Sequence, residues 1–264
     1  MPTSESGFFT WVGFILEKYG ALFLHGTLNT LIVALTGTIL GFLIGLLVAI
    51  LRSIPVRPKD SRAVRLGVKS LSALLGAYIE VFRGTPMIVQ AMVIYYGTMR
   101  LGLHMSILFA AIFIVSINTG AYMAEIIRGG IVSVDKGQKE AAHAIGMTHW
   151  QSMLYVVLPQ AVRNIMPSIG NEFVVNIKDS SVLNVIAVNE LFFMSKSAAG
   201  TYLRYFEVFF ITACIYLVLT LTVTRLLRLL EKQMDGKASY TIHGSQSYSK
   251  AAIAPPEGGD ARDD

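Results

Sequence analysis

Between residues 19 and 51 the chain carries no Asp, Glu, Lys or Arg. A stretch this long and this apolar is long enough to cross about 30 Å of hydrocarbon as a tilted helix. The rest of the composition agrees. Of 264 residues, 53% are apolar and 15% charged, too little charge to coat a water-soluble surface of that size. The segment ahead of the run, residues 1–18, lacks a basic n-region, and the run is longer than the apolar stretch of a signal peptide. The run therefore reads as a retained span. The one cysteine, Cys214, excludes an intramolecular disulfide.

Within the first span Gly37, Gly41, Gly45 and Ala49 repeat at four-residue spacing, a flat stripe against which another helix can pack closely in lipid. A basic connection follows, with Arg52, Arg57, Lys59, Arg62, Arg65 and Lys69 opposed by Asp60. Arg62, Arg65, Lys69, Ser72, Gly76, Glu80 and Arg83 then recur at threes and fours, a polar stripe on an otherwise apolar helix. Residues 64–99 would run about 54 Å as one helix, so the segment must project from the bilayer or break near Gly84 and Pro86; it counts as one crossing. Further spans are expected at 105–127, 159–188 and 206–230. Residues 236–264, rich in Gly, Ser, Pro and Asp, read as a disordered tail.

The net charge of +5 does not point to nucleic acid, because Lys and Arg sit in short connections between apolar runs. The connections after spans one and three and the end of span five are the basic ones. The positive-inside rule then places the N-terminus outside, with residues 1–18 periplasmic, and the C-terminal tail in the cytoplasm. Only an odd number of crossings satisfies this. Five transmembrane helices do; a sixth crossing at the Gly84–Pro86 break would put a basic connection on the wrong side. The fold expected is an all-α membrane protein with one transmembrane domain over 19–235.

The fourth span is polar where it should be apolar. Asn164, Ser168, Glu172, Asn176 and Asp179 follow at steps of four and three, on one helix face. Ionisable groups at bilayer depth almost always face a bundle interior or a watery path. Glu172 and Asp179, with Asn176, Ser180 and Ser181 and with Asn118 of span three, are the candidate substrate-binding residues, the carboxylates holding a cationic group. The other reading is an ion-pair network between helices, through Lys178. Glu125 reads as a structural partner of Arg128 at i+3.

The connection between spans three and four reads Glu140-Ala141-Ala142, then Gly146, then Val156, Leu158 and Pro159. Asp135 and Gly137 suit a helix start, the alanines leave a thin helical face, Gly146 permits a backbone turn, and Pro159 suits the restart of the chain as span four. The pattern resembles the EAA signature of ABC importer permeases, differing at Val156, where the family has Ile. EVFRGTP at 80–86, NTGAYMAEIIRGG at 118–130, GNEF at 170–173 and KDSSVL at 178–183 resemble its polar-amino-acid branch, so that the likeness extends over residues 26–232. The resemblance implies a permease subunit of an ATP-driven importer of polar amino acids. Its coupling helix, with Glu140, Ala141, Ala142 and Gly146, would meet an ATPase subunit. It further implies a second permease subunit, identical or homologous, an extracytoplasmic binding protein, and a place in the bacterial inner membrane.

The chain has no Walker A lysine loop, so ATP belongs to the partner and no cofactor is expected here. Neither a metal set among the scattered histidines nor a nucleophile with its base is visible, so the chain does not read as an enzyme. An ion-coupled amino-acid carrier, using Glu172 and Asp179 as ion ligands, is the alternative; it would leave the EAA stretch without a task.

Overall fold

The structure, a computed structural model, describes residues 2–3, 6–54, 56 and 61–234. The expected tail at 236–264 and much of the basic connection lie outside the described residues. Every described element is helical. α1 (Phe8–Arg52), α2 (Arg62–Gly84), α3 (Met87–Arg100) and α4 (Ile107–Ser133) are followed by the short α5 (Lys136–Ala144). After a tight turn, α6 (His149–Ser152) runs through a π-turn at Met153–Val157 into α7 (Leu158–Asp179) and a 3-10 stretch at Ser180–Ile186. α8 (Leu191–Tyr202) and α9 (Tyr205–Met234) complete the chain.

The apolar run forms a helix of 45 residues, about 68 Å long and so over twice the hydrocarbon thickness. It begins at Phe8, ahead of the run itself, because Trp11 and Ile15 are buried against Ala198, Ala199 and Val208 of α8 and α9. The small-residue stripe packs against another helix as expected, and that helix is α4. A Cβ on Gly41 would lie 2.7 Å from Thr119 Cβ and one on Gly45 2.5 Å from Met123 Cβ, while Gly37 meets Val115. With no side chain between them, the two backbones approach closely, gaining the dispersion contacts that hold helices together in lipid. Val33, Ala110, Ala111, Ile114 and Val115 form the core where the middle of α1 meets the N-terminal half of α4, together with Leu183 and Ile186.

Residues 62–100 do break at Gly84–Pro86. The pyrrolidine ring cannot continue the helix, and the carbonyls released at the break are recovered by side chains. Gln90, buried, donates through Nε2 to the Phe82 and Thr85 carbonyls at 2.9 Å each. Gln90 Oε1 in turn accepts from Asn118 Nδ2 of α4 at 2.9 Å.

Two expectations change. The fourth span does not restart at Pro159: Thr148 starts the helix earlier, through a reciprocal capping box with Gln151. The π-turn at Met153–Val157 immediately precedes Pro159, where the ring lacks an N–H and a regular ladder would be interrupted. The connection before span five is also more than a loop. It contains α8, capped by Glu190, whose carboxylate accepts from Phe192 N at 2.9 Å and Phe193 N at 2.6 Å. Within it Ser195 is buried and donates to the Leu191 carbonyl.

Among the described residues three helices, Phe8–Arg52, Ile107–Ser133 and Tyr205–Gln233, are long and apolar enough to cross a membrane. A fourth passes as a pair bent by 56°, His149–Ile186 with Leu191–Tyr202. α2 and α3 do not qualify singly, since α2 carries the polar stripe and α3 has only 14 residues.

Candidate functional site

Two surfaces carry the expected residues, and one continuous helical stretch joins them. At one end lies α5. Asp135 caps it, accepting from Gly137 N at 2.7 Å, as its position before the helix suggested. At the other end Gly146 N donates to the His143 carbonyl at 3.0 Å and Met147 N to the Ala142 carbonyl at 3.1 Å. This pair of bonds closes the helix only if the residue between them turns left-handed, and Gly146 sits at φ +86°. Glu140 falls in the second turn of α5 and is exposed, as are Ala141 and Gly146, whereas Ala142 is buried. Ile145, at the tip, is 80% exposed, and Trp150, Leu154 and Tyr155 are exposed beside it. A short helix ending in bare apolar side chains is suited to bury them in a groove of another chain. Its seat is firm, because Val134, Met153, Val157 and Ala161 pack together beneath it.

At the other end of the stretch lies the polar face of α7. Steps of four residues drift by about 40° each on a helix of 3.6 residues per turn, so the five polar positions do not share one environment. Asn164 and Ser168 are exposed, Asn164 donating to Ser133 Oγ at 3.1 Å. Glu172 is half-buried and Asp179 exposed. Asn176, farthest round, points into the bundle. It donates to Thr38 Oγ1 of α1 at 2.8 Å and accepts from Thr119 Oγ1 of α4 at 3.1 Å, so both its polar ends are occupied. Ser180 is buried and bonded to the Ile177 carbonyl, while Ser181 is half-buried.

Glu172 and Asp179 are close enough for their charges to interact, and the Arg83 guanidinium acts on Glu172 from α2. Among the described residues neither carboxylate nor Lys178 forms an ion pair; Lys178 is exposed and acts on Asp179 only through space. Asn118 sits apart, at the α2–α3 break. The structure thus leaves Glu172 and Asp179 without an ion pair among the described residues, acting on each other and with Arg83 only through space, and uses Asn176, Ser180 and Asn118 for bonds within the subunit. Arg83 was visible as the end of the polar stripe of α2; that it lies over Tyr122 and pairs with Glu125 of α4 is set by the packing.

Glu125 forms a second charged centre. It accepts from Arg128 at 2.8 Å and 3.0 Å, and it pairs with Arg52 of α1 at 3.5 Å and Arg83 of α2 at 3.9 Å. The expected i+3 partner is present, and two further arginines converge from other helices.

An all-helical bundle with several lipid-length helices, a polar face inside one of them and a short exposed helix at one end is the architecture of an integral membrane transport subunit. The match to known proteins is specific. Residues 63–236 match the model of the binding-protein-dependent transport system inner membrane component, and the chain belongs to that family. It is 35% identical over 215 residues to the glutamine transport system permease protein GlnP of Escherichia coli strain K12, covering 81% of this chain and 93% of that one. It is 33% identical over 212 residues to the arginine transport system permease protein ArtQ of Bacillus subtilis strain 168, covering 80% and 91%. The fold is similar to a crystal structure of an amino acid ABC transporter with histidines, at TM-score 0.74 and 38% identity, covering 86% of this chain and 99% of that one.

Proposed function

We propose that this chain is one of two permease subunits of an ATP-driven importer of polar amino acids. Five crossings are proposed, with α2 and α3 together forming the second, the N-terminus outside and the C-terminus in the cytoplasm. An ATPase subunit binds ATP and docks on α5, an extracytoplasmic binding protein delivers substrate at the opposite face, and a second copy or homologue completes the path. Glutamine and arginine relatives support the substrate class.

The observation that carries the reading is the continuity of the stretch from Thr148 to Asp179. The seat of the exposed helix α5 and the carboxylates Glu172 and Asp179 belong to one unbroken run of turns. A push on α5 is therefore a displacement of the α7 polar face. Glu172 and Asp179 would hold the ammonium or a cationic side chain of the passing substrate, with Ser181 beside them and Arg83 available to its carboxylate.

The test is uptake by vesicles containing the complex purified with its ATPase, with labelled glutamine, arginine and glutamate in competition. Uptake that requires ATP and is lost when α5 is altered supports the reading. Uptake driven by an ion gradient without ATP would replace it with the ion-coupled carrier.

A further inference from the structure

Apart from Arg83 at its end, the polar stripe of α2 is not absorbed by the transport path. Ser72 of that stripe and the neighbouring apolar Ile79 face a slot of about 270 Å³ between α1, α2 and α4. Arg52, Ser53 and Arg128 form its polar mouth, and Val48, Ala124 and Val132 line the rest. Arg52 lies across the stripe, its Nη2 3.8 Å from the position a Cβ on Gly76 would occupy. Three arginines, Arg52, Arg83 and Arg128, share the single carboxylate Glu125, which leaves the cluster two positive charges in excess. Arg62, Arg65 and Lys69 continue the stripe beyond the slot, and the nearest acid on it, Glu80, is exposed on α2.

We infer that this slot binds the headgroup and upper acyl chain of an anionic glycerophospholipid of the cytoplasmic leaflet. The inference rests on the orientation proposed above, which brings the C-terminal ends of α1 and α4 and the N-terminal half of α2 to that leaflet. Charge complementarity selects an anion: guanidinium groups and serine hydroxyls are matched donors for a phosphodiester. The apolar remainder selects a lipid over free phosphate: Val48, Ile79 and Ala124 pack on one another as the floor of the slot, while Val132, 71% exposed, and Ile131 present an uncovered apolar edge beside Arg128 that a small anion would not cover. Basic pockets between spans on the cytoplasmic side are where anionic headgroups settle. By bridging Arg52 and Arg128, the lipid holds α2 against α1 and α4, beside the attachment of α5.

The test uses the full chain, purified in mild detergent, stripped of lipid and titrated with phosphatidylglycerol or phosphatidylcholine while occupancy is read by native mass spectrometry. Phosphatidylglycerol should bind roughly tenfold more tightly, the effect of one or two charge-assisted hydrogen bonds. Arg128→Gln, which leaves Glu125 paired with Arg52 and Arg83, and Ser72→Leu, which fills the slot without changing charge, should each remove most of that preference. Lys196→Gln, on the exposed side of α8, should not. Either of the first two variants decides the matter if the other fails to fold. Equal binding of the two lipids, undiminished preference in both variants, or displacement of the lipid by excess inorganic phosphate would overturn the inference. None of these outcomes depends on transport, so a failed transport assay leaves the result readable.

Discussion

Asn176 Nδ2 donates to Thr38 Oγ1 at 2.8 Å, joining α7 to α1 across 138 positions of sequence, while Asn176 Oδ1 accepts from Thr119 of α4. One amide thus ties three helices together in the buried interior of the bundle. Asn176→Leu should lower thermal stability by about 0.6–2 kcal/mol, the range for a hydrogen bond between membrane helices, because two hydroxyls lose their partner. The Thr38 hydroxyl retains some satisfaction within its own helix, since it also donates to the Ala34 carbonyl at 2.7 Å. Combining Asn176→Leu with Thr38→Val should cost less than the sum of the two, measured by thermal denaturation in detergent. Full additivity would mean that the bond contributes nothing.

The α1–α4 seam tolerates no side chain at Gly41 or Gly45. Gly45→Val should force the helices apart and cost about 1–3 kcal/mol from overpacking, with reduced yield of folded protein. Gly97→Ala, where no atom lies within 4 Å of the added carbon, should be neutral or slightly stabilising. If both variants melt like the parent protein, the close approach of α1 and α4 is wrong.

Gly146→Val places a β-branched residue at φ +86°, a strain of about 1–2 kcal/mol. It should open the last turn of α5 and separate ATP hydrolysis from uptake while leaving the subunit inserted and assembled. Gly146→Asn, which accepts the left-handed region more readily, should retain more coupled transport. The ratio of amino acid imported to ATP hydrolysed checks both variants, and an unchanged ratio in the valine variant would remove α5 from the coupling path.

Glu172→Gln and Asp179→Asn keep size and remove charge. Each should lower uptake roughly ten- to hundredfold if it loses one charge-assisted hydrogen bond to substrate. Thermal stability should change little, because neither carboxylate has an ion-pair partner among the described residues. Parent-level transport in both variants would dismiss this face of α7 as a substrate site.

Orientation can be read by impermeant thiol reagents after Cys214→Ala. Ile145→Cys, at the bare tip of α5, should react only from the cytoplasmic side, and Lys196→Cys only from outside. Reaction of both positions from one side would refute the five-crossing arrangement.

The sequence by itself determined the solvent, the helical class and the turn at Gly146. These follow from local rules: a long uncharged run crosses lipid, proline breaks a helix, and a left-handed turn needs glycine. The Gly37–Gly45 stripe also announced a close helix contact, though not that α4 would supply the other half. Only the tertiary structure decided what the polar residues do. Asn176 was grouped with Glu172 and Asp179 because four-residue steps look like one face. The accumulated rotation instead carries Asn176 onto α1 and α4, and leaves the carboxylates outside that contact. Asn118 was read as lining a path, yet it secures the α2–α3 break, a partnership set by Gln90 on another helix. Glu125 announced only Arg128, its neighbour on the same helix; Arg52 and Arg83 reach it by packing. Periodicity reports which way a side chain leaves its own helix, and the choice between a bundle contact and an open path is made by whatever helix stands opposite.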